Sequence, residues 1–123
     1  YLDPPYNNRQ YGANYHLLNT IALYDEFEPN GKTGLRDYQR SDYCVKKTVN
    51  DSFEELIANA NFKYIFLSYN NEGLMTEEEV REIMKKYGTY EVFKKKYQRF
   101  KADSRRKHKA DSTFEYLHFL NKN

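Results

Sequence analysis

The chain has one cysteine, no tryptophan, three prolines and five glycines in 123 residues. Cys44 has no partner for an internal disulfide, so nothing points to a secreted domain held by cross-links. No apolar run approaches the roughly 20 residues that a membrane-spanning helix needs. No membrane partner is therefore expected, and the cytoplasm is the expected compartment. His16, His108 and His118 have no partners at ligand spacing, which argues against a metal site. Nothing pairs a histidine with Cys44 as a nucleophile, so a packing role is expected for that thiol. With so little glycine and proline, wholesale disorder is not expected either.

Aromatic side chains are abundant instead. Hydrophobic residues make up 39% and charged residues 31%, but aromatics reach 17%, with 13 tyrosines and eight phenylalanines. Each ring buries a large area, so one domain's core can be built from them. The net charge is only +2, which by itself says little about partners.

The opening Tyr1-Leu2-Asp3-Pro4-Pro5-Tyr6 fixes the first element. A Pro-Pro pair fits neither a helix interior nor a sheet ladder. Tyr1-Leu2 therefore reads as the end of a strand, with Asp3–Tyr6 leaving it as a loop, and the chain reads as cut from something longer. Asn14 is placed to cap a helix over 15–24, with Leu17, Leu18, Ile21 and Leu23 as its apolar side. A long polar loop runs on to Lys47. Asn50 or Asp51 is the expected cap of a second helix carrying Phe53, Leu56 and Ile57. Phe62–Tyr69 is an almost unbroken apolar run, which predicts a strand buried on both faces. Thr76 and Glu79 form a capping-box pattern ahead of Val80, Ile83 and Met84, and Gly88 is the expected stop. Residues 90–100 and 114–120 read as two strands around a basic hairpin loop. This order predicts an α/β fold: an open sheet with an antiparallel end.

Open α/β sheets bind ligands at the carboxyl ends of their strands. There the Asp3 carboxylate and the Pro4 carbonyl would be two acceptors converging on one point, and the Tyr6 ring a stacking face. Two acceptors suit a primary amino group, and a ring face suits the planar base that carries it. A plain turn is the rival reading, and for Asp-Pro-Pro without the tyrosine it would be preferred.

Asp3-Pro4-Pro5-Tyr6 resembles the catalytic motif of DNA methyltransferases that act on the 6-amino group of adenine. Asn7-Asn8-Arg9-Gln10-Tyr11, Phe66–Leu74, Tyr97-Gln98-Arg99-Phe100 and Glu115-Tyr116-Leu117 resemble, in the same order, later segments of type II restriction–modification enzymes of that group. The resemblance covers essentially the whole chain. It implies a partial Rossmann-like methyltransferase sheet, with residues 1–123 as the C-terminal part of the catalytic domain, ending in an antiparallel β-hairpin. It also implies S-adenosylmethionine as cofactor and double-stranded DNA as substrate. A flipped adenine would stack on Tyr6, and its amino hydrogens would be accepted by Asp3 and the Pro4 carbonyl. The same resemblance implies that Asp3 approaches the cofactor. The family's Phe-x-Gly-x-Gly cofactor loop has no counterpart here, so no tight cofactor binding and no activity are expected of this chain by itself. The alternative is an inactive module with a nucleic-acid-binding or structural role.

Residues 94–109 hold nine lysines and arginines against one acid, Asp103. Arg99, Lys101, Arg105, Arg106 and Lys107 are candidate phosphate contacts; a solvated loop is the rival. Gly31-Lys32-Thr33-Gly34 lacks the full phosphate-loop pattern and no strand precedes it. By the family resemblance Lys32, Arg36 and Arg40 lie near the DNA side, although a flexible loop accounts for them equally well. Ser68, Tyr69 and Asn70, at a strand end, either line the base pocket or simply cap the strand. A sheet cut beside Asp3 leaves one flank of the Phe62–Tyr69 strand uncovered, and a homo-oligomer through that edge is expected.

Overall fold

The computed structural model describes residues 1–98 and 112–123. Short helices α1 (Tyr11–Asn14) and α2 (His16–Leu23) precede a single 3₁₀ turn at Asp42–Cys44 and helix α3 (Val49–Asn59). Strand β1 (Tyr64–Asn70), helix α4 (Glu77–Lys85), and strands β2 (Gly88–Gln98) and β3 (Ser112–Lys122) follow. The sheet order is β1-β3-β2, and both pairings are antiparallel. On the other side of β1, Leu2 forms a parallel bridge to Leu67. The mixed α/β class and the closing hairpin pair are as expected from sequence.

Helices α3 and α4 cover one face of this sheet. Val49, Phe53 and Ile57 of α3 meet Val80, Ile83 and Met84 of α4 over Ile65, Leu67 and Tyr69 of β1 and Leu120 of β3. Alternation follows from the strand's period of two, which sends successive side chains to opposite faces. The expected burial of β1 on both faces is not what forms. Tyr64 and Phe66 point away from the helices and stack along Phe119, with ring centroids 6.1 and 4.9 Å apart. Phe66 is 38% and Tyr64 54% exposed. The run is apolar from Tyr64 to Leu67, but only one face has helices over it among the described residues.

The first helical segment also differs from expectation. Asn14 lies inside α1, and α2 begins after Tyr15 without a side-chain cap. Leu17, Leu18, Ile21 and Leu23 are all exposed, and the buried residue is His16. An apolar stripe sets which face a helix can bury, but burial needs an element to receive it. Thr48, not Asn50 or Asp51, precedes α3, again without a side-chain cap.

The capping box forms as read. Thr76 Oγ1 accepts from the Glu79 N–H at 3.1 Å, and the Thr76 N–H donates back to Glu79 Oε2 at 2.6 Å. Lys46 donates to both Glu79 oxygens and to the Leu74 carbonyl, tying the long loop to the segment before α4. Burial works against ionising Glu79, but the bonds from Lys46, Thr76 and Asn50 outweigh it and hold its pKa down to about 2. At the other end, Lys122 Nζ donates to the Ile57, Ala58 and Ala60 carbonyls at 2.7–2.8 Å. It thereby satisfies two carbonyls of the last turn of α3 and that of Ala60, which follows it. Gly88 opens β2 rather than ending a helix: a Cβ there would run into the Asn121 carbonyl on β3.

Candidate active site

The Asp3–Tyr6 loop is fixed at both ends. At its start the Leu2 N–H donates to the Phe66 carbonyl at 2.7 Å, and the Leu2 carbonyl accepts from Ser68 N–H at 2.9 Å. Leu2 also packs against the core. Asp3 therefore leaves the sheet beside the carboxyl end of β1, the position from which an α/β sheet presents ligands. At its end the Tyr6 carbonyl accepts from the Leu74 N–H at 2.8 Å. The two prolines between these anchors fix the backbone torsions. Asp3 is exposed, Pro4 and Pro5 are half-buried, and the Tyr6 ring is 41% exposed. A carboxylate and an accessible ring thus stand on a rigid turn at the mouth of the sheet.

Two further side chains reach this mouth. Glu115 of β3 lies opposite Asn70 of β1 in the ladder. Its carboxyl is raised by burial and then by the nearby Asp3 charge. The Tyr11 phenol is raised by burial, followed by Tyr6, Tyr15 and Asp3. Sequence reading did not single out Glu115 as a site residue, because only strand register brings it near Asp3.

The remaining sequence candidates divide. Ser68 spends its N–H on Leu2, and Asn70 is buried with its Oδ1 accepting from the Glu72 N–H at 3.0 Å. That is the bond of a local turn closing the strand. Tyr69, read as a possible pocket-lining residue, is buried at 3% exposure in the core. Its ring belongs to the face that the helices cover.

Arg36 forms a two-bonded ion pair with Asp25, at 3.0 and 2.8 Å, and its guanidinium lies over the Phe27 ring. The same guanidinium donates to Thr20 Oγ1 of α2 at 3.2 Å, so its donors are engaged within the chain. Lys32 and Arg40 are exposed. The loop itself is pinned by Gln10, whose side chain donates to the Ser41 carbonyl and accepts from the Ser41 N–H. Lys94, the first residue of the basic run, is paired with Glu77 at 2.6 Å. Arg99, Lys101, Arg105, Arg106 and Lys107 lie outside the described residues.

The glycines do not make a cradle for a nucleotide-like cofactor. A Cβ at Gly73 would run into the Tyr69 ring, and one at Gly12 into Tyr38. Gly31 and Gly34 adopt positive φ in a tight turn closed by the isolated Asn30–Leu35 bridge. Among the described residues no group of three or more His, Cys, Asp or Glu could hold a metal ion. No helix among them is long and apolar enough to cross a membrane.

An exposed carboxylate, a proline carbonyl and a ring thus stand on one fixed turn at a strand's carboxyl end. Comparison with known proteins gives the family. Residues 1–83 match the model of the D12 class N6 adenine-specific DNA methyltransferases, and the chain belongs to that family. It is 65% identical over 124 residues to the type II methyltransferase M.NlaIII of Neisseria lactamica, covering 99% of this chain and 37% of that protein. It is 50% identical over 127 residues to the type II methyltransferase M.FokI of Planomicrobium okeanokoites, covering 99% of this chain and 19% of that one. Identity to the type II methyltransferase M.CviAII of Paramecium bursaria Chlorella virus 1 is 41% over 102 residues, or 83% of this chain and 31% of that protein. The chain thus spans about a third or less of the length of these relatives. No solved structure matches it.

Proposed function

We propose that these 123 residues are the C-terminal part of a methyltransferase catalytic domain, with a partial Rossmann-like sheet, and that they hold the target adenine of double-stranded DNA. The anchored Asp3–Tyr6 turn carries this reading. A base extruded from the duplex, at a cost of a few kcal/mol, would lay its face on the Tyr6 ring. Its amino group would donate one hydrogen to the Asp3 carboxylate and the other to the Pro4 carbonyl. Both acceptors draw the hydrogens toward oxygen and raise electron density on the nitrogen. This is catalysis by positioning and electrostatics, on groups that the rigid turn has already oriented. S-adenosylmethionine, the donor that methyltransferases of this kind use, supplies the methyl group. Its cradle is left to residues beyond this chain, so the chain by itself is inactive. Exposed Lys32 and Arg40, with the basic 99–107 segment, are placed in this reading at DNA phosphates. A cytoplasmic location accords with such a substrate.

The test is substitution at Tyr6 in the intact methyltransferase. Stacking on a base needs a ring and not a hydroxyl, and is worth about 1–3 kcal/mol. Tyr6→Ala should lower methyl transfer by about ten- to a hundredfold, with Tyr6→Phe and Tyr6→Trp retaining most of it. Equal losses in all three would remove stacking as the role of Tyr6.

We further propose that this chain alone self-associates along the outer edge of β1. Only the Phe66 carbonyl and the Ser68 N–H on that edge are paired to Leu2. A groove of about 400 Å³ runs beside it, lined by Tyr1, Leu2, Leu56, Phe62 and Tyr64 among others. Unpaired strand edges with apolar flanks recruit further strands. Light scattering across the micromolar range should return at least a dimer; a constant single-chain mass would show that the edge stays unpaired.

A further inference from the structure

We propose that Tyr69 is a positioning residue that acts through Tyr6, fixing the carbonyl of the residue whose ring receives the base. The inference rests on the reading of Tyr6 given above and extends it to a side chain with no access to the base itself. Tyr69 is buried, and its hydroxyl is 3.5 Å from the Tyr6 carbonyl and 3.2 Å from the Met75 nitrogen. The Met75 N–H donates to the phenolic oxygen, which leaves its own O–H to donate to the Tyr6 carbonyl. One hydroxyl can fill both roles, because it carries one donor and two acceptor lone pairs. The same carbonyl accepts from the Leu74 N–H at 2.8 Å. Three consecutive features after β1 therefore converge on one atom of the turn. Gly73 lets the ring lie close, since a Cβ there would collide with it. The Leu74 amide supplies the main bond, and the Met75 amide orients the hydroxyl that supplies the second.

The consequence is directional. The Tyr6 carbonyl and Cα lie in one planar peptide unit, and Pro4-Pro5 hold the chain on the other side of that Cα; with both flanks fixed, the rotation that would redirect the Cα–Cβ bond is restricted. That direction decides where the Tyr6 ring stands relative to Asp3 and the Pro4 carbonyl. A small misplacement of a positioned group carries a large rate penalty when it governs an attack geometry. The buried side of β1 thus serves the accessible turn, and Tyr69 joins the core to the site.

A double-mutant cycle in the intact methyltransferase tests this. Tyr69→Phe removes the hydroxyl and keeps the ring. It should lower kcat by about three- to tenfold, the range for one hydrogen bond, with KM for the methyl donor unchanged. In a Tyr6→Ala background the same substitution should have no further effect on kcat, because the ring it positions is gone. Gly73→Ala keeps the hydroxyl but displaces the ring, and should show the same dependence on Tyr6. Melting curves of each variant are taken first, and rates are compared below the lowest transition. Penalties of Tyr69→Phe and Gly73→Ala that multiply fully with that of Tyr6→Ala would make Tyr69 a structural residue only and overturn the proposal. So would a Tyr69→Phe enzyme with unchanged kcat. If Tyr6→Ala itself costs nothing, the reading of Tyr6 fails and takes this proposal with it, a result distinct from the other two.

Discussion

Asp3→Ala in the intact methyltransferase should lower kcat by a hundredfold or more, with much less effect on overall DNA affinity. Removing one preorganised electrostatic group from a reacting centre costs about 10²–10³ in kcat. Asp3 stands where such a group has that effect. It follows directly on Leu2, which is bonded on both sides to β1, and precedes two prolines. Its backbone cannot drift to find a substitute contact. DNA affinity should fall by only about tenfold, the share of one charge-assisted hydrogen bond, because phosphate contacts supply most of it. Asp3→Asn keeps one acceptor oxygen and should recover part of the loss. A measured kcat for Asp3→Ala within a few-fold of the parent would mean that the turn does not handle the reacting amino group.

The second large effect is on stability. His118 is fully buried at the centre of the sheet, with Nδ1 2.7 Å from the Tyr90 hydroxyl and no partner for Nε2 among the described residues. Burial lowers its pKa from 6.5 to about 4; nearby Glu77 pulls upward, while Arg81 and Lys94 push down. The unfolded chain takes up this proton as pH falls through 6.5, whereas the folded chain refuses it until about 4. Stability from the neutral ring is therefore complete above 6.5 and drains away between those values. The loss amounts to about 3 kcal/mol, a sizeable part of the 5–15 kcal/mol that holds a typical domain together. Glu79 loses its contribution at lower pH, between 4.5 and about 2, so the two windows barely overlap. Thermal melts of this chain from pH 7 to 4.5 should fall steeply, and those of His118→Leu should be flatter. Parallel slopes would show that His118 is not the group responsible.

The legible parts of the fold were those decided locally. The capping box at Thr76 and Glu79 depends on side chains and amides three residues apart, and it formed as read. Strand alternation in β1 was hidden, because every residue from Tyr64 to Leu67 is apolar. Which face is covered depends on α3 and α4, elements that the run itself does not mention. The same holds for α2, whose leucines mark a face with nothing over it among the described residues. In the site, Asp3 and Tyr6 could be nominated from their order around two prolines and their likeness to a known motif. The bond from Leu74 to the Tyr6 carbonyl, and the approach of Glu115 to Asp3, could not. Both depend on how β1, its following turn and β3 align, which is tertiary register and not local pattern. Arg36 shows the converse: a candidate nominated for its charge finds that charge met by Asp25 within its own loop.

The most direct test of the account asks whether Asp3 recognises the amino group itself. Binding of the intact methyltransferase and its Asp3→Ala variant is measured on two duplexes, one with the target adenine and one with purine, which lacks the amino group. Purine is weakly paired and easier to extrude, but that gain is common to both proteins and cancels when their affinity ratios are compared. A charge-assisted hydrogen bond contributes about 1.5–3 kcal/mol. The Asp3→Ala penalty should therefore be about tenfold or more larger on adenine than on purine. An equal penalty on both duplexes would contradict the claim that the turn at Asp3–Tyr6 receives the adenine amino group.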